Sequence, residues 1–167
     1  MRLALSFLLF AATAWCQPFP PIEAETLTGK KLSFPGAAAG SPAVVIAGFT
    51  HASQSQTMAW HRRLWGEYPR GGPVPVWGIA VLEDVPRLVR GMATHGIRGS
   101  VPKEQYDRFL LIFRGEAELK QSAAFDRPDD AYVLLLDGSG AVKWRYHGPP
   151  TDTADAGLKA ALAAGGK

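Results

Sequence analysis

The residues that could do chemistry in this chain are few, and their spacing says what is missing. Its 167 residues hold one cysteine, Cys16, and four histidines, His51, His61, His95 and His147. Residues 43–56 read Ala-Val-Val-Ile-Ala-Gly-Phe-Thr-His-Ala-Ser-Gln-Ser-Gln: an apolar run, a short polar turn, then Ser53 and Gln56 three apart where a helix begins. Two cysteines at that spacing would exchange disulfides. Serine cannot, because its hydroxyl pKa is far too high and it forms no disulfide. His51 and Ser53 suggest a hydrolase, but residues two apart need not face each other and no Gly-x-Ser-x-Gly elbow occurs. Ser53 reads instead as a helix N-cap, with Gln56 at the capping-box position.

Metal chemistry has equally little to build on. No two histidines stand at i and i+4, the spacing that presents two imidazoles from one helix. A loop-supplied site from His51 and His147 rests on residue type alone. The sequence assigns no metal and no cofactor.

The first 16 residues read as a signal peptide. Met1-Arg2 is a short basic start, residues 3–12 are apolar, and Ala14-Trp15-Cys16 is a small-x-small cleavage site before Gln17. The apolar run is shorter than the roughly 20 residues a membrane span needs. Lipidation of Cys16 is the alternative, and Trp15 argues against it. Cleavage leaves residues 17–167 as one domain of 151 residues without a thiol nucleophile, so burial alone must hold it together. It also removes Arg2, taking the formal charge from +3 to +2. No basic stripe interleaves with aromatics, so nucleic acid is not an expected partner. Lys30-Lys31 and Arg62-Arg63 read as solvated pairs.

Apolar runs at 43–49, 76–82, 109–113, 132–137 and 142–146 predict strands. Residues 27–32 predict a hairpin turn around Gly29, and residues 36–40 a small loop. Helices are expected at 53–68, at 85–94 closed by Gly96, at 116–124, and from Thr151 or Asp152 to about 164. On the first helix Met58, Arg62 and Trp65, with Leu64 and Tyr68 beside them, define the expected core face. Continuous apolar strands alternating with helices imply a central mixed sheet covered on both sides, an α/β three-layer sandwich.

With a strand, a polar turn and a helix around Ser53 and Gln56, the chain resembles a thioredoxin-like domain whose Cys-x-x-Cys pair is gone. Such enzymes also carry a cis-proline before the strand that faces the active loop. Ala131 stands at that place here, with the nearest proline at Pro128, so a trans bond is expected. The resemblance implies that residues 50–56 and Asp129-Asp130-Ala131 meet at one end of the sheet. Residues 109–158 further resemble the mitochondrial F-type ATP synthase assembly factors, through Phe-Leu-Leu-Ile-Phe-Arg-Gly and Tyr-Val-Leu-Leu-Leu-Asp-Gly-Ser-Gly-Ala-Val-Lys-Trp-Arg-Tyr-His-Gly with its Lys143-Trp144 pair. That family implies help in assembling a membrane complex. The secretory start points instead to export, to a bacterial periplasm or beyond.

Of the five tryptophans, Trp65 and Trp77 read as core. Trp60 lies about 140° around the helix from Trp65, which leaves it as a candidate exposed contact. The expected function is that of a non-catalytic, exported thioredoxin-like protein that binds another protein, as an assembly factor or chaperone, with no stable membrane anchor after cleavage. Thr50, His51, Trp60 and Ala131 are its candidate contacts, and subunits of a membrane complex its implied partners. A thiol-independent redox or peroxidase-like enzyme and a metal or small-molecule carrier are the alternatives.

Overall fold

The apolar runs become strands because each has both faces to bury and a turn signal at its end. The computed structural model describes residues 18–165; the expected signal segment with Cys16, and Gln17 after it, lie outside the described residues. The strands are β1 (Ile22–Thr26), β2 (Lys31–Phe34), β3 (Ala43–Gly48), β4 (Val76–Val81), β5 (Phe109–Ile112), β6 (Tyr132–Leu136) and β7 (Val142–His147). The helices are α1 (Gln54–Glu67), α2 (Arg90–Ser100), α3 (Glu116–Ala123) and α4 (Asp152–Gly165).

All seven strands form one mixed sheet in the order β2-β1-β5-β4-β3-β6-β7. β3, β4 and β5 run parallel, with Val44 opposite Val76 and Gly78 opposite Phe109, and the other pairs are antiparallel. The five expected strands therefore share the sheet. The β1–β2 hairpin adds a second edge through Gly29, whose φ of 87° suits a residue without a Cβ. This is a thioredoxin-like α/β fold, with helices on both faces of the sheet.

Alternation along the strands divides the core. Val45, Ala47, Ile79, Leu110 and Leu134 face one layer, completed by Leu119 of α3 and by Phe19, Phe34 and Phe49. Val44, Ile46, Val133 and Leu135 face the other, under Trp60 and Leu64 of α1 and Leu158 of α4. A third cluster, Leu27, Leu82, Val101, Phe109 and Leu111, lies beside it, with Ala93 and Ile97 of α2 packed against it. Arg63 of α1 pairs with Asp155 of α4 at 3.2 Å, tying the two helices together.

Two helices depart from the sequence reading. The buried residues of α1 are Thr57, Trp60, His61 and Leu64, whereas Arg62 is exposed and Trp65 only partly buried. The core face is thus rotated from the one built on Met58, Arg62 and Trp65. Trp60 can enter the core because its indole N–H donates to the Gly148 carbonyl at 2.9 Å. Helix α2 begins at Arg90 and runs through Gly91, Gly96 and Gly99. Residues 82–89 spend themselves on turns, with Val85 N–H donating to the Leu82 carbonyl and Val89 N–H to that of Pro86. Tertiary contacts then carry the helix past Gly96: Arg98 donates from Nε and Nη2 to the Leu27 carbonyl at 3.1 and 2.9 Å. Local propensity yields to such anchors.

Among the described residues no helix is long and apolar enough to cross a membrane.

Candidate functional site

The parallel strands β3, β4 and β5 and the antiparallel β6 fix where the loops converge. The chain leaves β3, β4 and β5 and enters β6 at the same end of the sheet. That end gathers residues 49–53, 82–89, 113–115 and 126–131. Loops are where a rigid α/β scaffold exposes backbone and side chains for binding.

The 50–56 turn and the 128–131 segment meet through three hydrogen bonds. Thr50 Oγ1 donates to the Pro128 carbonyl at 2.9 Å. Gln56 Nε2 donates to Asp130 Oδ1 at 3.2 Å, and Gln56 Oε1 accepts from the Ala131 N–H at 3.0 Å. Asp130 Oδ2 in turn lies 2.8 Å from His147 Nδ1. The hydrogen bond from His147 holds the Asp130 carboxyl below the usual carboxylate range against the opposing effect of burial, and Gln56 adds a smaller pull in the same direction as His147. The Asp130–Ala131 bond is trans; among the described residues the cis peptide is Phe34–Pro35.

Ser53 and Gln56 sit at the head of α1, but they do not form a capping box. Ser53 is buried and donates its Oγ proton to the Thr50 carbonyl at 2.8 Å, while its own N–H donates to Thr50 Oγ1 at 3.3 Å. Its backbone is already helical (φ −71°, ψ −9°), so the side chain cannot fold forward over the first turn. Gln56 is drawn across to Asp130 and Ala131, on the approach to β6, instead of back to residue 53. The Ser53 hydroxyl proton is thus committed to a backbone carbonyl.

Two further expectations are corrected. Trp60 is fully buried, with its ring 5.7 Å from that of Tyr146, and Ala131 is fully buried just before β6. Neither offers a surface to a partner. Thr50 and His51 are exposed. His147 is held by Asp130 on β6's approach, and among the described residues no group of three or more His, Cys, Asp or Glu side chains is placed to hold a metal.

Sequence reasoning missed two features of this end. The first is a cavity of about 470 Å³ between α1 and α2, bounded by residues such as Phe49, Met58, Leu82, Ile97 and Phe109. Its floor carries His61, whose ring is buried between Trp65 (4.5 Å) and Phe109 (5.4 Å) and whose two nitrogens have no hydrogen-bond partner. Burial pushes its pKa down to about 3, against a weaker pull from the Thr57 carbonyl, so the ring is neutral. The second is an apolar apron: Leu88 is 99% exposed, Met92 77% and Val89 42%. Three apolar residues without periodicity gave no signal that they would be left uncovered.

The turn between β6 and β7 is built on Asp137. Asp137 Oδ1 accepts from the Ser139 hydroxyl at 2.6 Å and from the N–H groups of Ser139 and Ala141. The Ser139 hydroxyl first, then these N–H groups and Lys143, hold that carboxyl at about 2 although partial burial opposes them.

Solved structures similar to this chain share its architecture. The thioredoxin domain of a thiol-disulfide oxidoreductase from Bacteroides vulgatus matches with a TM-score of 0.61 at 14% identity, over 88% of this chain and 96% of that one. A thiol:disulfide interchange protein from Chlorobium tepidum matches at 0.52 and 19% identity, over 92% and 99%. A member of the Sco family of cytochrome c oxidase assembly proteins matches at 0.57 and 14% identity, over 89% and 95%. The fold is thioredoxin-like. No protein-family model matches the sequence, and no curated protein matches it. Identities this low establish the fold alone. The described residues, 18–165, contain no cysteine.

Proposed function

We propose that this protein is a non-catalytic, exported thioredoxin-like binding protein that docks another protein as an assembly factor or chaperone. The observation that carries the reading is the apron of Leu88, Val89 and Met92 at the same end of the sheet as Thr50 and His51. Large apolar side chains grouped in the open are unfavourable for a lone soluble protein and mark contact surfaces. Gln56 supports the non-catalytic part. Its amide occupies both Asp130 and the Ala131 N–H, at the backbone edge that in the enzymes holds a substrate peptide. The redox loop is latched to its neighbour instead of opening toward a disulfide. The likeness of residues 109–158 to the ATP synthase assembly factors makes subunits of membrane complexes the first partners to test.

The test is capture from a membrane extract with the purified chain as bait, alongside a Leu88→Glu/Met92→Glu variant. A partner held by the unchanged chain and lost by the variant supports the reading. Equal capture by both removes the apron from it. Turnover in an insulin-reduction or peroxide assay that vanished on Ser53→Ala would overturn the non-catalytic assignment in favour of the thiol-independent enzyme.

A further inference from the structure

The cavity between α1 and α2 carries an assignment of its own, independent of the protein-docking reading. Its walls are mainly apolar, and neither lysine nor arginine lines it. Four hydroxyls do, and each spends its proton on a backbone carbonyl. Thr50 donates to Pro128, Ser53 to Thr50, Thr57 to Gln54 and Ser100 to Ile97, at 2.8–3.0 Å. A hydroxyl that has given its proton away can only accept. The two carboxylates on the lining, Asp84 and Glu116, also accept and bring negative charge. Glu116 shares its charge with Lys120 at 2.5 Å, whereas Asp84 is exposed. The remaining nitrogen-bearing side chains are Gln54, His51 and His61. Of these, His61 forms a neutral floor whose nitrogens are covered.

Among its side chains acceptors therefore outnumber donors, and no lysine or arginine stands among them, behind an apolar interior. An organic anion meets neither lysine nor arginine there, and two carboxylates. A purely apolar molecule fills the space but leaves the acceptors unused. We infer that this cavity binds a small apolar amine, protonated at neutral pH, with its hydrocarbon body between α1 and α2 and its ammonium group toward Asp84. A void of this volume is within the usual range for small-molecule sites.

The experiment compares three probes of one shape on the purified chain: 2-naphthylmethylamine, naphthalene and 2-naphthoate, followed by calorimetry or by tryptophan fluorescence. The amine is expected to bind at one site more tightly than naphthalene, and 2-naphthoate to show no saturable binding. Asp84 is exposed, so Asp84→Asn should leave the fold intact. That change should weaken the amine roughly two- to fivefold, the range of an exposed charge pair, and leave naphthalene unchanged. Ala93→Phe, which puts a ring into the cavity from α2, should abolish binding of both; Ile97→Trp serves as the second obstructing variant if the first does not fold. Binding of 2-naphthoate as tight as that of the amine would overturn the assignment. So would an amine preference indifferent to Asp84→Asn, binding that survives both obstructing variants, or no binding of the amine up to its solubility limit. A protein partner lost through Leu88→Glu/Met92→Glu with amine binding intact would separate this site from the docking surface.

Discussion

His61 lies on the sheet over Gly78 with no room to spare: a Cβ built on Gly78 would stand 2.6 Å from His61 Nε2 and 2.5 Å from Phe109 Cδ2. The glycine is what lets an imidazole enter the layer between α1 and β4. Gly78→Ala should force His61 and Phe109 to move and cost about 1–3 kcal/mol, the usual price of overfilling a packed interior. Chemical denaturation measures it. An alanine variant as stable as the parent would mean that the ring is not seated there.

The same ring sets an acid limit on stability. In the unfolded chain an imidazole takes up its proton below about 6.5, while the buried His61 resists until about 3. The unfolded state thus binds more protons than the folded one between those values, so stability falls as pH drops from about 6.5 toward 3. His61→Phe keeps a ring between Trp65 and Phe109 and removes the titrating group. It should flatten that part of the profile and raise stability near neutral pH, because two unpartnered buried nitrogens disappear. Denaturant midpoints measured across the interval give the answer; parallel profiles for the two proteins would refute it.

Gln56 is the latch between the two loops, and its removal should be felt at the entry to β6. Gln56→Ala leaves the Ala131 N–H without its acceptor in a fully buried residue and deprives Asp130 of a donor. An unsatisfied buried donor costs about 1–3 kcal/mol. Hydrogen exchange at Ala131 should rise in the variant more than at Val45, in the middle of the sheet. Unchanged protection at Ala131 would show that the carboxamide does not close this edge. Gln56→Glu keeps an acceptor for Ala131 but sets a carboxylate against Asp130, so it should recover stability as acid protonates one of the pair.

What could be read in the sequence was what depends on one segment at a time. The runs around Val45, Ile79, Leu110 and Leu134 had to be buried strands, and the turn after β3 had to carry Ser53 and Gln56 to the head of a helix. The meeting of residues 50–56 with Asp130 and Ala131 followed from the resemblance in fold. What depends on two segments was not legible. Which face of α1 is buried is decided by the Gly148 carbonyl, 88 residues along the chain, which receives the Trp60 N–H, and by the absence of a side chain at Gly78. The partner of Gln56 is likewise 75 residues away. The cavity exists because α2, with three glycines and no fully buried residue, covers β4 and β5 incompletely.

Trp60 gives the clearest separation between a contact residue and a core residue. A solvent-facing tryptophan in a binding rim could be cut to alanine with little effect on stability. This one is wholly buried, lies edge-on to Tyr146 and donates to the Gly148 carbonyl. Trp60→Ala should cost about 3–5 kcal/mol, the range for emptying a large aromatic site in a core. Trp60→Phe should cost less, because it keeps most of the packing and loses the N–H donor to a buried carbonyl, a change of about 1–3 kcal/mol. Both shifts should appear in denaturant midpoints without any partner present. A Trp60→Ala protein that unfolds at the parent's midpoint would return the indole to the surface and restore it as a candidate contact.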